Sequence, residues 1–265
     1  MNAGPTCREA ADPASAGLRH TGANYVRAIT ARESDRRARS AFRALVLSLA
    51  PPGGALLDFG AGTGLDSRYF AECGLEVRAY DNDPQMCSSL RSHCGDLIAS
   101  GRVSLETGSY PQFLARASRS TDRRIDVVVA NFAPLNLIDD LRALFARFDT
   151  LTAPDARIVA SLLSPYYIGD MRYGWWWRGL PRLWRSGRYS LPASGGTVVR
   201  RSLTDLAAQC EPSFTLERVL RGLPPRDARE AAGIDWRDRR RGEWLSLSGS
   251  RFMFLVFRKR AHKLA

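Results

Sequence analysis

The sequence predicts an α/β protein built on a parallel sheet that is buried on both faces. Three observations carry this expectation. Strand-like apolar runs alternate with stretches of helical spacing from residue 55 to residue 163, several of those runs are apolar throughout rather than at every second position, and a cluster of glycines directly follows the first run. At 265 residues and 45% apolar content the chain is long enough to bury one full-sized core.

Residues 24–50 have the spacing of a helix, with Phe42, Leu45, Val46 and Leu49 recurring at intervals of three and four, and Pro51-Pro52-Gly53-Gly54 ends it. Residues 55–59 form a short apolar strand running into glycines. Helical spacing returns over 65–73, and Gly74 stands where a C-terminal cap belongs. The alternation repeats with 76–80 as strand, 84–99 as helix, 102–106 as strand and 125–130 as a strand rich in β-branched residues. Residues 137–150 are then helical, and 157–163 are a fifth strand.

Beyond Ser164 the character changes. Tyr166, Tyr167, Tyr173, Trp175, Trp176, Trp177, Trp184 and Tyr189 stand among five arginines and several glycines, a mixture that suits neither strand nor ordinary helix and predicts an inserted lid over about 164–196. Regular structure resumes at 197–201, followed by a helix near 202–209 capped by Ser202 or Thr204. A strand at 215–220, an arginine-rich connection and a last strand at 251–258 complete the chain. No internal repeat is visible. The expected division is a flexible stretch, 1–19, and a single domain, 20–265, that carries the lid.

Composition narrows the function. No apolar run reaches the ~18–20 residues of a membrane-spanning helix, and the first 17 residues lack the apolar centre of a signal peptide, so a cytoplasmic location is expected. Cys7, Cys73, Cys87, Cys94 and Cys210 show no close pairing, and the three histidines are scattered, so neither a zinc site nor a disulfide framework is indicated. The net charge is +12, and all basic residues except Lys259 and Lys263 are arginines. Residues 1–160 hold 19 basic and 18 acidic side chains while 161–265 hold 20 and 9, so +11 of the charge lies in the C-terminal part. That asymmetry fits an acidic partner or substrate, or simply a solvated basic face.

Gly60, Gly62 and Gly64 lie between a buried strand and a helix, where they allow a sharp turn and let a ligand approach the main chain without Cβ atoms in the way. Asp81 ends the second strand 21 residues beyond Gly60, the position from which a carboxylate accepts hydrogen bonds from ribose hydroxyls. Asp81-Asn82-Asp83-Pro84 is also a good helix start, which gives Asp81 an alternative structural use. Asp58, two residues before Gly60, would repel a pyrophosphate and suit a cation. The turn therefore favours a positively charged nucleoside over a dinucleotide.

Leu57-Asp58-Phe59-Gly60-Ala61-Gly62-Thr63-Gly64 resembles the first motif of class I methyltransferases, and residues 77–83 resemble their second. The likeness runs over roughly residues 20–260. It implies a Rossmann-like sheet of seven strands in the order 3-2-1-4-5-7-6 with the last strand antiparallel, and S-adenosylmethionine as cofactor. By position, Asp58, Gly60, Ala61, Gly62 and Gly64 would surround its amino acid half, Asp81 the ribose, and Asn82 and Met86 the adenine side. Where such enzymes usually carry Gly-Asp after the third strand, this chain has Gly108-Ser109-Tyr110, with Ser109 as the weaker acceptor for adenine. Ala130-Asn131-Phe132-Ala133-Pro134-Leu135-Asn136 is similar to the Ser-Asn-Phe-Gly-Ala-Leu-Asn stretch of a bacterial subgroup that methylates small molecules. It would put Asn131 and Phe132 against the methionine part and Asn136 near the mouth. It is neither the Asp/Asn-Pro-Pro-Tyr nor the Pro-Cys of two nucleic-acid classes, so nucleic acid is disfavoured as acceptor.

The resemblance implies an enzyme that carries a methyl group to an O, N or C atom of a small metabolite, with few residues engaged in chemistry. Tyr25 matches the position at which related enzymes fold an aromatic over the cofactor, and His20 is a candidate base with a pKa near neutrality. Tyr166, Tyr167, Arg172 and Trp176 are the candidates for acceptor contact. Three roles stay open for their segment: a lid over an apolar substrate whose acidic group the arginines orient, a peripheral membrane contact, or a packed cap.

Overall fold

A computed structural model describes residues 33–117, 123–193, 196–220 and 249–261. Helix α1 (Glu33–Leu49) leads into β1 (Ala55–Phe59), α2 (Leu65–Glu72), β2 (Glu76–Asp81), α3 (Pro84–His93), α4 (Gly95–Ala99), β3 (Val103–Thr107), α5 (Tyr110–Ala115) and β4 (Ile125–Ala130). A short 3-10 turn (Pro134–Leu137), α6 (Leu141–Leu151) and β5 (Thr152–Leu163) follow. An insertion comes next: a 3-10 turn (Ile168–Asp170), α7 (Gly174–Ser186) and the strands β6 (Arg188–Ala193) and β7 (Gly196–Arg201). Helix α8 (Leu203–Cys210) and strands β8 (Phe214–Leu220) and β9 (Phe252–Lys259) complete the fold.

Seven strands form one sheet in the order β3-β2-β1-β4-β5-β9-β8. The first five are parallel, and β9 runs antiparallel to both of its neighbours. The expected order holds, with β8 and β9 as the sixth and seventh strands. Among the described residues, strands β6 and β7 pair only with each other, as an antiparallel hairpin outside the main sheet.

Alternation along the central strands explains the two buried faces. In β4, Val128 and Ala130 join a layer with Phe145, Phe148 and Leu206, whereas Val127 and Val129 join Phe42, Phe70 and Leu90 on the other side. A residue on either face of such a strand leaves water, which is why the run is apolar at nearly every position. The C-terminal ends of β1 to β5 consequently share one edge, and the loops that could hold a ligand gather there.

Several helices differ from expectation. The stretch 84–99 breaks into α3 and α4 at Cys94, whose thiol packs against the Gly64 carbonyl. The helix after β4 starts at Leu141, with Asp140 capping the amide of Ala143, and the residues before it form the 3-10 turn. Helix α5 was not expected at all; it exists because Ser109 and Gln112 form a reciprocal capping box. The largest correction is in the aromatic and arginine-rich segment, much of which is the 13-residue helix α7 rather than irregular structure. Gly174, Gly179 and Pro181 disguise it, since glycine and proline are poor helix formers. Tertiary packing outweighs that cost: Trp176, Gly179 and Leu183 face inward at helical spacing, and a Cβ at Gly179 would lie 2.8 Å from the Tyr189 ring.

Candidate functional site

The glycine turn is built by the backbone. Gly60, Gly62 and Gly64 all have positive φ (+74°, +57° and +81°), a region that disfavours any residue with a Cβ. They differ in what surrounds them. A Cβ at Gly60 would stand 2.6 Å from Pro134 Cβ, and one at Gly64 2.8 Å from Leu90, whereas one at Gly62 would meet nothing within 4 Å among the described residues. Gly60 and Gly64 thus permit close packing, and Gly62 borders open space.

The amides of this turn are already engaged. Gly60 and Ala61 both donate to the Tyr80 carbonyl at 2.9 and 3.0 Å, Gly64 donates to Ala61, and Gly62 donates to Asp81 Oδ2 at 2.7 Å. A pyrophosphate needs amides that point outward, and these four do not. The charges agree: Asp81 accepts from the Gly62 amide, and Asp58, donated a hydrogen bond by Ser67 Oγ at 2.6 Å, lies within the field of Asp81 and of Asp66, whose own charge is taken up by Arg39 and Arg43. Such a turn accommodates a cation better than an anion.

Asp81 is 8% exposed, and its second oxygen accepts from the Asp83 amide at 2.9 Å. Burial raises its pKa, against the lowering effect of the amides of Asp83 and Gly62. The N-cap of α3 is the neighbouring Asp83, accepting from the amides of Gln85 and Met86, and Asp81 supports that helix start through the Asp83 amide. Asp58 is 2% exposed, and burial, reinforced by the charge of Asp66, pushes its carboxyl up from 3.8 to about 7.

Asp66, one residue into α2, was not anticipated. It is the hub of an ion network in which Arg39 and Arg43 of α1 both pair with it, Arg43 at 2.7 Å, and the side-chain amide of Asn131 donates to it at 2.9 Å. Arg39 also lies over the Phe132 ring, 4.5 Å from its centroid. The only advance signal was the spacing of Arg39 and Arg43 on one helix face, which by itself points to no partner.

Asn131 anchors the loop after β4. Its carbonyl accepts from Ser161 Oγ at 2.9 Å and from the Phe132 amide at 3.0 Å, and Phe132 and Ala133 both adopt positive φ (60° and 70°). Two successive non-glycine residues in that region store strain, which here is held by three hydrogen bonds to β5 residue Ser161 and to Asn131. Asn136, expected near the mouth, is 1% exposed; its amide nitrogen donates to the Val199 carbonyl at 2.6 Å and its oxygen accepts from the Leu163 amide at 2.9 Å. It is a strut between β5 and β7.

The remaining expected residues divide. Asn82 is exposed just before α3, and Met86 is half-buried in its first turn. Ser109 is used as the cap of α5, and Tyr110 donates to the Asp140 carbonyl at 3.5 Å while its ring edges against Phe59. Tyr166 and Trp176 border a groove of about 580 Å³ that also takes in Leu180, Leu183, Trp184 and Ser202. Trp176 is additionally pinned by its indole N–H to the Pro165 carbonyl at 3.0 Å. Tyr167 instead lays its ring over Gly169, and exposed Arg172 lies over the Tyr173 ring. Tyr25 and His20 lie outside the described residues.

The insertion is fixed to the ligand-binding edge by buried arginines. Arg200 and Arg201 are both 0% exposed. Arg200 donates to the Ser164 carbonyl at 2.9 Å and pairs with Asp170 at 3.2 Å; Arg201 pairs with Asp205 at 2.8 Å and donates to the carbonyls of Ile138 and Asp139. Among the described residues, no group of three or more His, Cys, Asp or Glu is arranged to hold a metal ion.

A family model described as "Methyltransferase domain" matches residues 31–211. No curated protein matches the chain in sequence. Among solved structures, an S-adenosylmethionine-dependent methyltransferase from Mesorhizobium loti aligns with a TM-score of 0.56 and 18% identity over 84% of this chain and 97% of that one. The 1,6-didemethyltoxoflavin-N1-methyltransferase of Burkholderia thailandensis, solved with 1,6-didemethyltoxoflavin and S-adenosylhomocysteine, aligns at 0.55 and 19% over 97% and 94%. The methyltransferase CcbJ of Streptomyces caelestis aligns at 0.55 and 17% over 86% and 90%. At these identities the likeness is one of fold. With well over half of its length matched by the family model and its sheet in the order found above, the chain belongs to the methyltransferase domain family and is a class I S-adenosylmethionine-dependent methyltransferase.

Proposed function

We propose that the chain methylates a small molecule that combines an apolar body with an acidic group, and that the glycine turn holds S-adenosylmethionine for that purpose. The observation that carries the cofactor assignment is the open space at Gly62, flanked by buried Asp58 and Asp81 on an edge whose amides are turned inward. Asp58 offers its charge to the cationic amino acid half, and Asp81 its free lone pairs to the ribose hydroxyls. Asn82 and Met86 border the adenine side, Asn131 and Phe132 the methionine part, and Ser109, committed to its helix, contributes at most one further contact.

S-adenosylmethionine supplies a methyl group on a positively charged sulfur, which is already a good leaving group. The chain has mainly to place an O, N or C nucleophile in line behind that methyl and to exclude water, a positioning effect that contributes on the order of 7–11 kcal/mol in well-oriented systems. Tyr25 and His20 remain the proposed aromatic cover and base. The acceptor class rests on the groove beside α7, where rings of Tyr166, Trp176 and Trp184 meet the guanidinium of Arg185 and the hydroxyls of Ser202 and Thr204.

Calorimetry with S-adenosylmethionine and S-adenosylhomocysteine tests the cofactor assignment. Gly62→Arg fills the open space and should abolish both affinities, and Asp81→Ala should lower both by at least about ten-fold, the worth of one charge-assisted hydrogen bond. Unchanged binding in both variants would remove the site. A labelled-methyl screen of metabolite pools then identifies the acceptor, and incorporation only into wholly polar, uncharged compounds would refute the acceptor class.

A further inference from the structure

Helix α7 carries large apolar side chains on its exposed side. At about 100° per residue, Gly179, Leu183 and Trp176 make one inward flank, and Leu180, Trp184, Trp177 and Pro181 continue the apolar arc round towards solvent. The inward flank is buried, but Trp177 is 54% and Trp184 73% exposed. Arg178, Arg182 and Arg185 occupy the remaining side, all exposed, and the helix contains no acidic residue. The polar end of Trp177 is already satisfied, its indole N–H donating to the Met171 carbonyl at 2.8 Å, so what it presents outward is ring.

The helix is also firmly mounted. Trp176 is tied to Pro165, Gly179 lies against the Tyr189 ring, and Gly187 closes the C-terminus in a left-handed conformation before β6 returns. An exposed tryptophan strip on a rigid helix with an arginine border has the composition and geometry of an interfacial helix.

We propose that this face of α7 rests on an anionic lipid surface, with Trp177 and Trp184 in the interfacial layer and Arg178, Arg182 and Arg185 against lipid phosphates. Charge complementarity selects this occupant. A second copy would set arginine against arginine across a self-complementary contact, and the net charge of +12 opposes self-association further. The proposal is independent of the cofactor assignment but shares Trp177, Trp184 and Arg185 with the lining of the groove proposed for the acceptor, so on this reading the groove opens at the lipid surface, and vesicle binding without any acceptor tests the surface contact by itself; among the described residues no helix is long and apolar enough to cross a membrane.

Co-sedimentation of the full chain with vesicles tests it, using phosphatidylcholine alone and phosphatidylcholine with about 30% phosphatidylglycerol, an anionic content sufficient to create a surface potential. The expected result is binding to the anionic vesicles only, weakened by salt, with tryptophan emission quenched by lipids brominated on their acyl chains. Trp177→Ser with Trp184→Ser should abolish the quenching and lower affinity at least ten-fold. Arg178→Gln, Arg182→Gln and Arg185→Gln should each cost about five-fold near a charged surface. All five positions are exposed, so an unchanged thermal midpoint shows that the variants fold. Absence of binding to anionic vesicles overturns the proposal, as does binding that the double tryptophan variant and the arginine variants leave intact. A dimer in light scattering that the tryptophan variant dissolves, or RNA that competes only through these residues, would assign the face to another partner and overturn it too.

Discussion

The glycine turn and the α7 insertion occupy the same edge of the sheet, yet they are held by opposite means. In the turn, conformation comes from backbone geometry: three glycines at positive φ, with the amides of Gly60 and Ala61 bonded to the Tyr80 carbonyl of β2, that of Gly64 to Ala61 and that of Gly62 to the Asp81 carboxylate. In the insertion it comes from side chains reaching across the fold, above all Arg200 and Arg201, which sit 0% exposed and bind carbonyls more than 30 residues away. A turn of the first kind tolerates change in its neighbours and not in itself. An insertion of the second kind depends on a few long-range contacts.

The largest effect that follows from this contrast is at Arg201. Replacing it with leucine leaves the half-buried Asp205 without its guanidinium and removes both bonds to the loop carbonyls of Ile138 and Asp139. Breaking a buried pair from one side costs about 3–5 kcal/mol, so Arg201→Leu should lower stability in urea unfolding by that amount. A loss below ~1 kcal/mol would mean that the insertion is held by its apolar contacts instead.

Asp58 gives the next effect, and with the opposite sign. Its folded pKa of about 7 lies above the ordinary 3.8 because burial disfavours the charge. The stability it contributes is therefore complete below about 3.8 and is lost as the pH rises through 7. Asp58→Asn keeps an acceptor for Ser67 and removes the buried charge. At pH 8 the variant should be more stable than the parent by about 2–4 kcal/mol, with the difference vanishing towards pH 4. The same variant should bind S-adenosylmethionine more weakly, and the parent's affinity should rise with pH through 7 as the carboxylate forms. Parallel pH profiles of stability for the two proteins would show that the carboxyl is not held in this way. A residue that destabilises the ligand-free fold is what a cation site built from a buried carboxylate entails.

Sequence reasoning reached the first region and stopped short of the second for the same physical reason. Asp58, Gly60, Gly62, Gly64 and Asp81 lie within one strand-turn-helix-strand unit, where chain order and spatial order coincide, and the parallel core strands announce themselves by being apolar on both faces. Helix α7 is stabilised by what it packs on, so its glycines, proline and consecutive tryptophans gave no reliable local period. Asn136 illustrates the same limit, since its type and position suit a ligand contact, and only the partners Val199 and Leu163 reveal a strut. Asp66 illustrates it in reverse: the hub of the network is next to the motif, but its partners come from α1 and the loop after β4.

The smallest effects separate two glycines inside the turn. Both Gly60 and Gly62 have positive φ, so alanine at either incurs the left-handed cost of about 1–2 kcal/mol. At Gly60 the new methyl also meets Pro134 at 2.6 Å, and the proline sits in a 3-10 turn fastened to β5, so it has little freedom to withdraw. Overpacking of this kind adds about 1–3 kcal/mol. At Gly62 the methyl enters open space, and the cost should stay near 1 kcal/mol, the backbone contribution alone. Denaturant midpoints of the two variants measure the gap between them. S-adenosylhomocysteine affinity supplies the complementary test, because at Gly62 the methyl would occupy room that the proposed site gives to the cofactor: Gly62→Ala should lose more binding than stability, and Gly60→Ala the reverse. Equal losses in both measurements would mean that the space beside Gly62 is not the cofactor's, and the proposed placement of S-adenosylmethionine against Asp58 and Asp81 would fall with it.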